Sequence, residues 1–227
     1  MKRVLLLALS VMSLQAHADL LDAFSSKDAS AGLKQALEQG ATQAVATLGA
    51  QGGFLDNERY RITLPANVRK AEPMLRAMGQ GKTIDELNLA MNRAAESAVA
   101  EAKPLLLNAV KQMTVQDAKG ILTGGEDSVT QYFRSKTTDA LTQKFLPVVS
   151  KATSRLQLAA QYNKLAGQGA ALGLVKAEDA NVEAYVTRKA LDALYLRIGE
   201  EEKAIRQNPA EAVGKIARQV FGAMGSN

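Results

Sequence analysis

The chain has 227 residues, with 28 Lys and Arg against 23 Asp and Glu, a formal charge of +5, one histidine and no cysteine or tryptophan. The one histidine, His17, falls inside an apparent export signal, which leaves the mature chain without His-based triads, Cys nucleophiles, structural zinc or His-ligated metals. Two of the positive charges, Lys2 and Arg3, belong to the same signal, and the remainder are interspersed with acids rather than clustered, which argues against nucleic acid as a partner.

Taken in chain order, MKRVLLLALSVMSLQAHA opens with a basic pair, an apolar run from Val4 to Leu14 and a small-x-small site at Ala16-His17-Ala18. These are the three parts of a secretory signal peptide. The run is shorter than the roughly 20 residues of a membrane span, and no cysteine stands at the cleavage point to take a lipid anchor. The expectation is a cleaved signal over 1–18 and a single all-helical domain over 19–227, soluble in the periplasm or secreted. Its stability must come from the core, since there are no disulfides to add.

Few aromatics, abundant Ala, Leu and Gln, and few β-branched runs favour helix. Leu33, Leu37, Ala41, Ala44 and Leu48 recur at threes and fours, and Gly49, Gly52 and Gly53 then end that helix. An irregular connector, FLDNERYRITLP, follows, with a possible extended piece at Arg61 to Leu64. A short helix from Ala66 to Met78 contains Pro73. Thr83 and Glu86 then have capping-box spacing ahead of Ile84, Leu87, Met91, Ala94 and Ala98. Leu105, Ala109 and Met113 continue the line beyond Pro104, which should bend or break it.

Two glycines at "MTVQDAKGILTGGEDSVTQYF" (113–133) raise the question of a phosphate loop. Such a loop needs a strand before the glycines and a Lys-Ser/Thr pair after them, and neither is present. Thr114 and Asp117 instead have capping-box spacing, Ser128 and Gln131 repeat it, and a glycine between can close the first helix in a left-handed turn. Val129, Phe133, Ala140, Leu141, Phe145, Val148 and Ala152 mark the next helix, with Pro147 inside it. Another follows over residues 154–175. The strongest late helix has Asp179 as a candidate cap and Arg188/Asp192, Arg197/Glu201 and Glu202/Arg206 as i,i+4 pairs. Asn208-Pro209 opens a last helix with Val213, Ile216, Val220 and Phe221 inward. The expected fold is all-α: a compact bundle of about seven to eight helices, kinked at prolines.

"MNRAAE" (91–96), "MTVQDAKGILTGGEDSVTQYFR" (113–134) and "YVTRKALDALYLRIGEEEKAIRQNP" (185–209), with "GFLDN" (53–57) and "VFG" (220–222), resemble a family of exported bacterial helical proteins known as domain-of-unknown-function family 4197. The family often has glycine where this chain has Ala193, a neutral departure. The resemblance implies export and helicity and supplies no activity.

Three constellations could carry chemistry. Asn92, Arg93 and Glu96 fall together on the polar side of a helix that is otherwise nearly apolar, as a pocket or as a register-setting network. Tyr132 and Arg134, and Tyr185 and Lys189, could grip an anionic group, or lie at the core edge with the tyrosine hydroxyls at the surface. Glu200 to Lys203 read as a solvated face, with Arg206 set apart from it. No metal or cofactor set is visible. The composition fits best a non-enzymatic module that binds an envelope protein or a small amphiphile, with kinked helices, small residues and seven methionines, one the initiator and one in the signal, suited to an adaptable groove. The alternatives are an envelope-glycan hydrolase using carboxylates alone, with Glu96 as acid and Asp117 or Glu201 as its companion, and a structural or assembly protein that self-associates through a flat apolar helix face.

Overall fold

A computed structural model describes residues 26–171 and 179–208. The expected signal peptide, the loop after residue 171 and the C-terminal helix, including "VFG", lie outside the described residues. Within them are eight helices and no strand: α1 (Ser26–Gly49), α2 (Ala66–Ala77), α3 (Gly81–Ala100), α4 (Lys103–Gln112), α5 (Val115–Thr123), α6 (Ser128–Thr153), α7 (Gln157–Ala171) and α8 (Val182–Gln207). The expected all-α bundle is the observed fold. None of these helices is long and apolar enough to cross a membrane.

The apolar stripes become the core. Leu33, Leu37, Ala41, Ala44 and Leu48 of α1 are all buried, as are Ile84, Leu87, Met91, Ala94 and Ala98 of α3. The most extensive pairing is α6 on α8, and α3 packs against both and against α1. Pro104 acts as expected: α3 ends at Ala100 and α4 restarts with the proline in its first turn, where its missing N–H costs nothing. Pro73 and Pro147 lie inside α2 and α6.

On α6 the inward line differs from the one expected. Ala140 and Ala152 are exposed, and the buried series is Val129, Phe133, Thr137, Leu141, Phe145, Val149 and Thr153. Thr137 tolerates the core because its hydroxyl is used twice, on the Phe133 carbonyl at 2.7 Å and the Tyr195 hydroxyl at 2.9 Å. Thr153 bonds the Val149 carbonyl and the Glu183 carboxylate.

Several helix ends also differ. The Thr114–Asp117 capping box is present in full. The Thr83 box is not: α3 starts at Gly81, after Gly79 at φ +80°, which places Thr83 inside the helix. Asp127 rather than Ser128 stands at the N-cap position of α6, and the Ser128 hydroxyl instead donates to the Ile121 carbonyl. Asn181, not Asp179, caps α8 by accepting from the Ala184 N–H at 2.7 Å. Residues 61–64 have no strand partner and form part of an irregular connector.

Gly124 closes α5 in an extended conformation, φ −82° and ψ 173°, not the left-handed one expected. Its glycine is needed for space: a Cβ there would lie 2.7 Å from both the Gly120 carbonyl oxygen and the Ser128 Cβ. Gly120, inside α5, has nothing within 4 Å of such a carbon. Gly124→Ala should therefore lower stability by about 1–3 kcal/mol, while Gly120→Ala should raise it by about 0.5–1 kcal/mol. Urea denaturation of the two variants checks the pair, and similar midpoints would contradict the packing at this turn.

Candidate functional site

Most residues nominated from the sequence fall into two buried networks and two open clefts, with Glu201 and Arg134 outside them. In the first network, Glu96 of α3 is only 4 % exposed. One carboxylate oxygen, Oε1, accepts from the backbone N–H groups of Gly52, Phe54 and Leu55 at 3.1, 3.2 and 3.2 Å. The other, Oε2, accepts from Arg93 Nη1 at 2.7 Å. One turn earlier, Asn92 is fully buried and pairs with Ile62 as a strand would: its Oδ1 accepts from the Ile62 N–H at 2.8 Å and its Nδ2 donates to the Ile62 carbonyl at 2.9 Å. The Asn-Arg-Glu cluster thus holds the backbone of the connector between α1 and α2. The turn that aims those amides at Glu96 begins with Gly52 at φ +86°, a region open to glycine.

The second network overturns the reading of Glu200 to Lys203 as a solvated face. Glu202 is 3 % exposed, and its carboxylate accepts from the N–H groups of Val129 and Thr130, both at 3.1 Å, and from the Thr130 hydroxyl. It caps α6 from a different helix, while Asp127, at the N-cap position, makes no side-chain cap and accepts from the Gln131 amide instead. Arg206 donates to Glu202 at 2.9 Å and to the Ser128 hydroxyl at 2.9 Å, and so belongs to this network. Glu201 pairs with Arg197 and lines a narrow apolar crevice against α1. Glu200 accepts from Tyr60 and pairs with Arg59 and Arg197. Burial, with the Glu200 carboxylate second, pushes the Tyr60 phenol up to about 12.

One cleft, of about 200 Å³, lies between α4, α5 and α6 and is lined by Asn108, Gln112, Thr114, Asp117, Tyr132 and Lys136 among others. Asp117 is held below the usual carboxylate range, first by the Thr114 hydroxyl, then by the Thr114 N–H and Lys136. The Tyr132 hydroxyl does not reach the surface: it donates to the Ala109 carbonyl at 2.8 Å, and burial pushes it up to about 12. Arg134 points elsewhere, stacking 4.6 Å over the Tyr195 ring and pairing with Asp192 at 3.7 Å.

The other cleft, of about 190 Å³, runs between residues 59–63 and α8. Arg59, Arg61, Lys189 and Asp192 line it together with Ile62, Ala193 and Leu196. Lys189 sits 5.9 Å from the Tyr185 ring, whose hydroxyl donates to the Thr63 carbonyl at 2.9 Å.

Glu96, Asp117 and Glu201 therefore do not share a cleft: Glu96 is sealed by its partners, and the other two line different hollows. Sequence reasoning paired Glu202 with Arg206, as observed, but left Glu202 on a solvated face, and it missed Tyr60 and Arg61. For Glu202 a signal existed, since it follows Ile198 by four and precedes Ile205 by three on the buried side of α8.

Two substitutions test these assignments. Glu96→Ala leaves three amides and a guanidinium without their acceptor and should cost about 3 kcal/mol or more in urea denaturation; a loss under 1 kcal/mol would show that the carboxylate does not hold the connector. Asp117→Asn weakens the capping box and should cost about 0.5–1 kcal/mol at neutral pH. Because the folded-state pKa of Asp117 is depressed, its contribution is present above the unfolded-state value, about 3.9, and fades as pH falls through the folded one. The difference in melting temperature between wild type and variant should therefore shrink on acidification below about pH 4.

No curated protein and no solved structure matches the chain. A family model described as "Protein of unknown function (DUF4197)" matches residues 23–222, and the chain belongs to that family.

Proposed function

We propose that this protein is an exported, non-enzymatic binding module of the bacterial envelope, folded as one helical domain behind a cleaved signal peptide. The observation that carries this reading is the division of labour among its polar side chains. The buried carboxylates Glu96 and Glu202 are both committed to backbone amides and a guanidinium, while the two larger hollows are open, mixed in character and walled by fixed elements. Preformed concave surfaces with a few placed polar groups are what binding needs. A carboxylate-only hydrolase needs two carboxyl groups about 5–10 Å apart across one cleft, and the three acids nominated for that role are separated. Among the described residues, the large exposed apolar side chains Met74, Met78, Leu89, Val115, Leu146 and Leu196 are spread over α2 and its end, α3, α5, α6 and α8, which favours binding over self-association through one flat apolar face.

Native mass spectrometry of the gently purified protein, with crosslinking in the intact envelope, tests the reading. An adduct removed by solvent extraction, or a defined crosslinked partner, is the expected result. A clean monomer mass with no crosslinked partner would overturn it.

A further inference from the structure

The ion pairs around the groove between residues 59–63 and α8 do not balance. Arg59 and Arg197 are matched by Glu200 and Glu201, and Arg134 and Arg188 by Asp179 and Asp192. Asp192, the acid in the groove wall, therefore has its charge answered by two guanidiniums. Three cations remain without a carboxylate partner among the described residues. Arg61 uses Nε on the Leu55 carbonyl at 2.6 Å, which leaves the outer nitrogens of its fork. Arg69 donates to the Thr63 hydroxyl at 3.2 Å. Lys189 has only the Tyr185 ring face. Arg61, Lys189 and Thr63 all line the groove, and Arg69 adjoins it through Thr63.

The opposite character lies beside them. Ile62, Ala193 and Leu196 give the groove an apolar side, and Leu196 is 44 % exposed. A hollow of about 190 Å³ has room for a single headgroup. An excess of guanidinium and ammonium groups next to an apolar wall matches an anion attached to an apolar body. Arginine's planar fork favours tetrahedral oxyanions with several acceptor oxygens, and a lysine adds a point charge.

We propose that this groove binds a phosphate ester carried on an apolar body, with Arg61 and Lys189 as its direct contacts and Arg69 adding field from one end. The assignment rests on the binding-module reading and names its ligand chemistry. A lipid headgroup and a soluble phosphate ester share that chemistry, and the test separates them.

The purified protein is titrated with hexyl phosphate by calorimetry and floated with vesicles of phosphatidylglycerol in phosphatidylcholine, against phosphatidylcholine alone. Binding should weaken as salt rises, and Lys189→Glu should weaken it about tenfold or more. Lys119→Glu, at an exposed position of α5 outside the groove, should leave it unchanged. Vesicle binding that depends on Lys189 identifies a lipid source; binding of hexyl phosphate alone with the same dependence identifies a soluble one. Absence of binding to both probes, or binding that survives Lys189→Glu and Arg61→Glu in proteins with wild-type melting curves, overturns the assignment. If the mass-spectrometric adduct or crosslinked partner persists in Lys189→Glu, the binding module stands and only this ligand is removed.

Discussion

A carboxylate buried without partners is among the most costly groups a core can hold, and this fold turns that cost into architecture. Glu96 is placed where three backbone amides and one guanidinium converge on it. Those amides belong to the long connector between α1 and α2, a segment with no helix or strand ladder of its own. Its polar backbone needs acceptors and donors wherever it is buried. Asn92 supplies one pair of bonds to Ile62, Tyr185 one to Thr63, and Glu96 three near the start. The connector is consequently a fixed wall rather than a loose loop, and the groove beside α8 exists because that wall is held.

Glu202 repeats the device at another place. The N-terminus of α6 exposes amides that its own sequence leaves uncapped, and a carboxylate from α8 fills the vacancy. A negative charge there also interacts favourably with the positive end of the helix dipole. Arg206 then balances Glu202, so that the α6–α8 contact, the most extensive in the molecule, carries a charge-assisted clasp at one end. Both buried acids thus tie together segments far apart in sequence.

This explains which parts of the structure were legible in the sequence. The helices and most of the core could be read because the 3.6-residue period is local information. The Arg93–Glu96 pair could be read for the same reason, as one turn of one helix. The amides of residues 52–55 could not, because nothing near Glu96 in sequence points to them. The start of α6 was misplaced by one residue for a related cause: its cap comes from 73 residues away. The run of acids in α8 concealed a difference of phase. Glu202 falls on the inward side with Ile198, whereas Lys203 points to solvent. On α6 the phase was masked in the opposite sense, with two threonines taking core positions that alanines nearby had suggested for themselves.

The same logic separates structural charge from charge left over for function. A charged side chain that satisfies backbone amides is fixed by what it holds, and altering it changes the fold before it changes any ligand. Glu96, Glu202 and Arg206 are of this kind. A cation whose neighbours are already neutralised is different: the fold does not require a counter-ion for it, since it can remain hydrated at the rim of a hollow. Arg61 and Lys189 meet that condition on opposite walls of one groove, whose position is set by Asn92, Glu96 and Tyr185. Preorganisation of those walls lowers the ordering cost of association, so even a small anion could be held by few contacts. Glu96 would then serve binding indirectly, by helping to keep at a fixed separation two cations that have no carboxylate partner among the described residues.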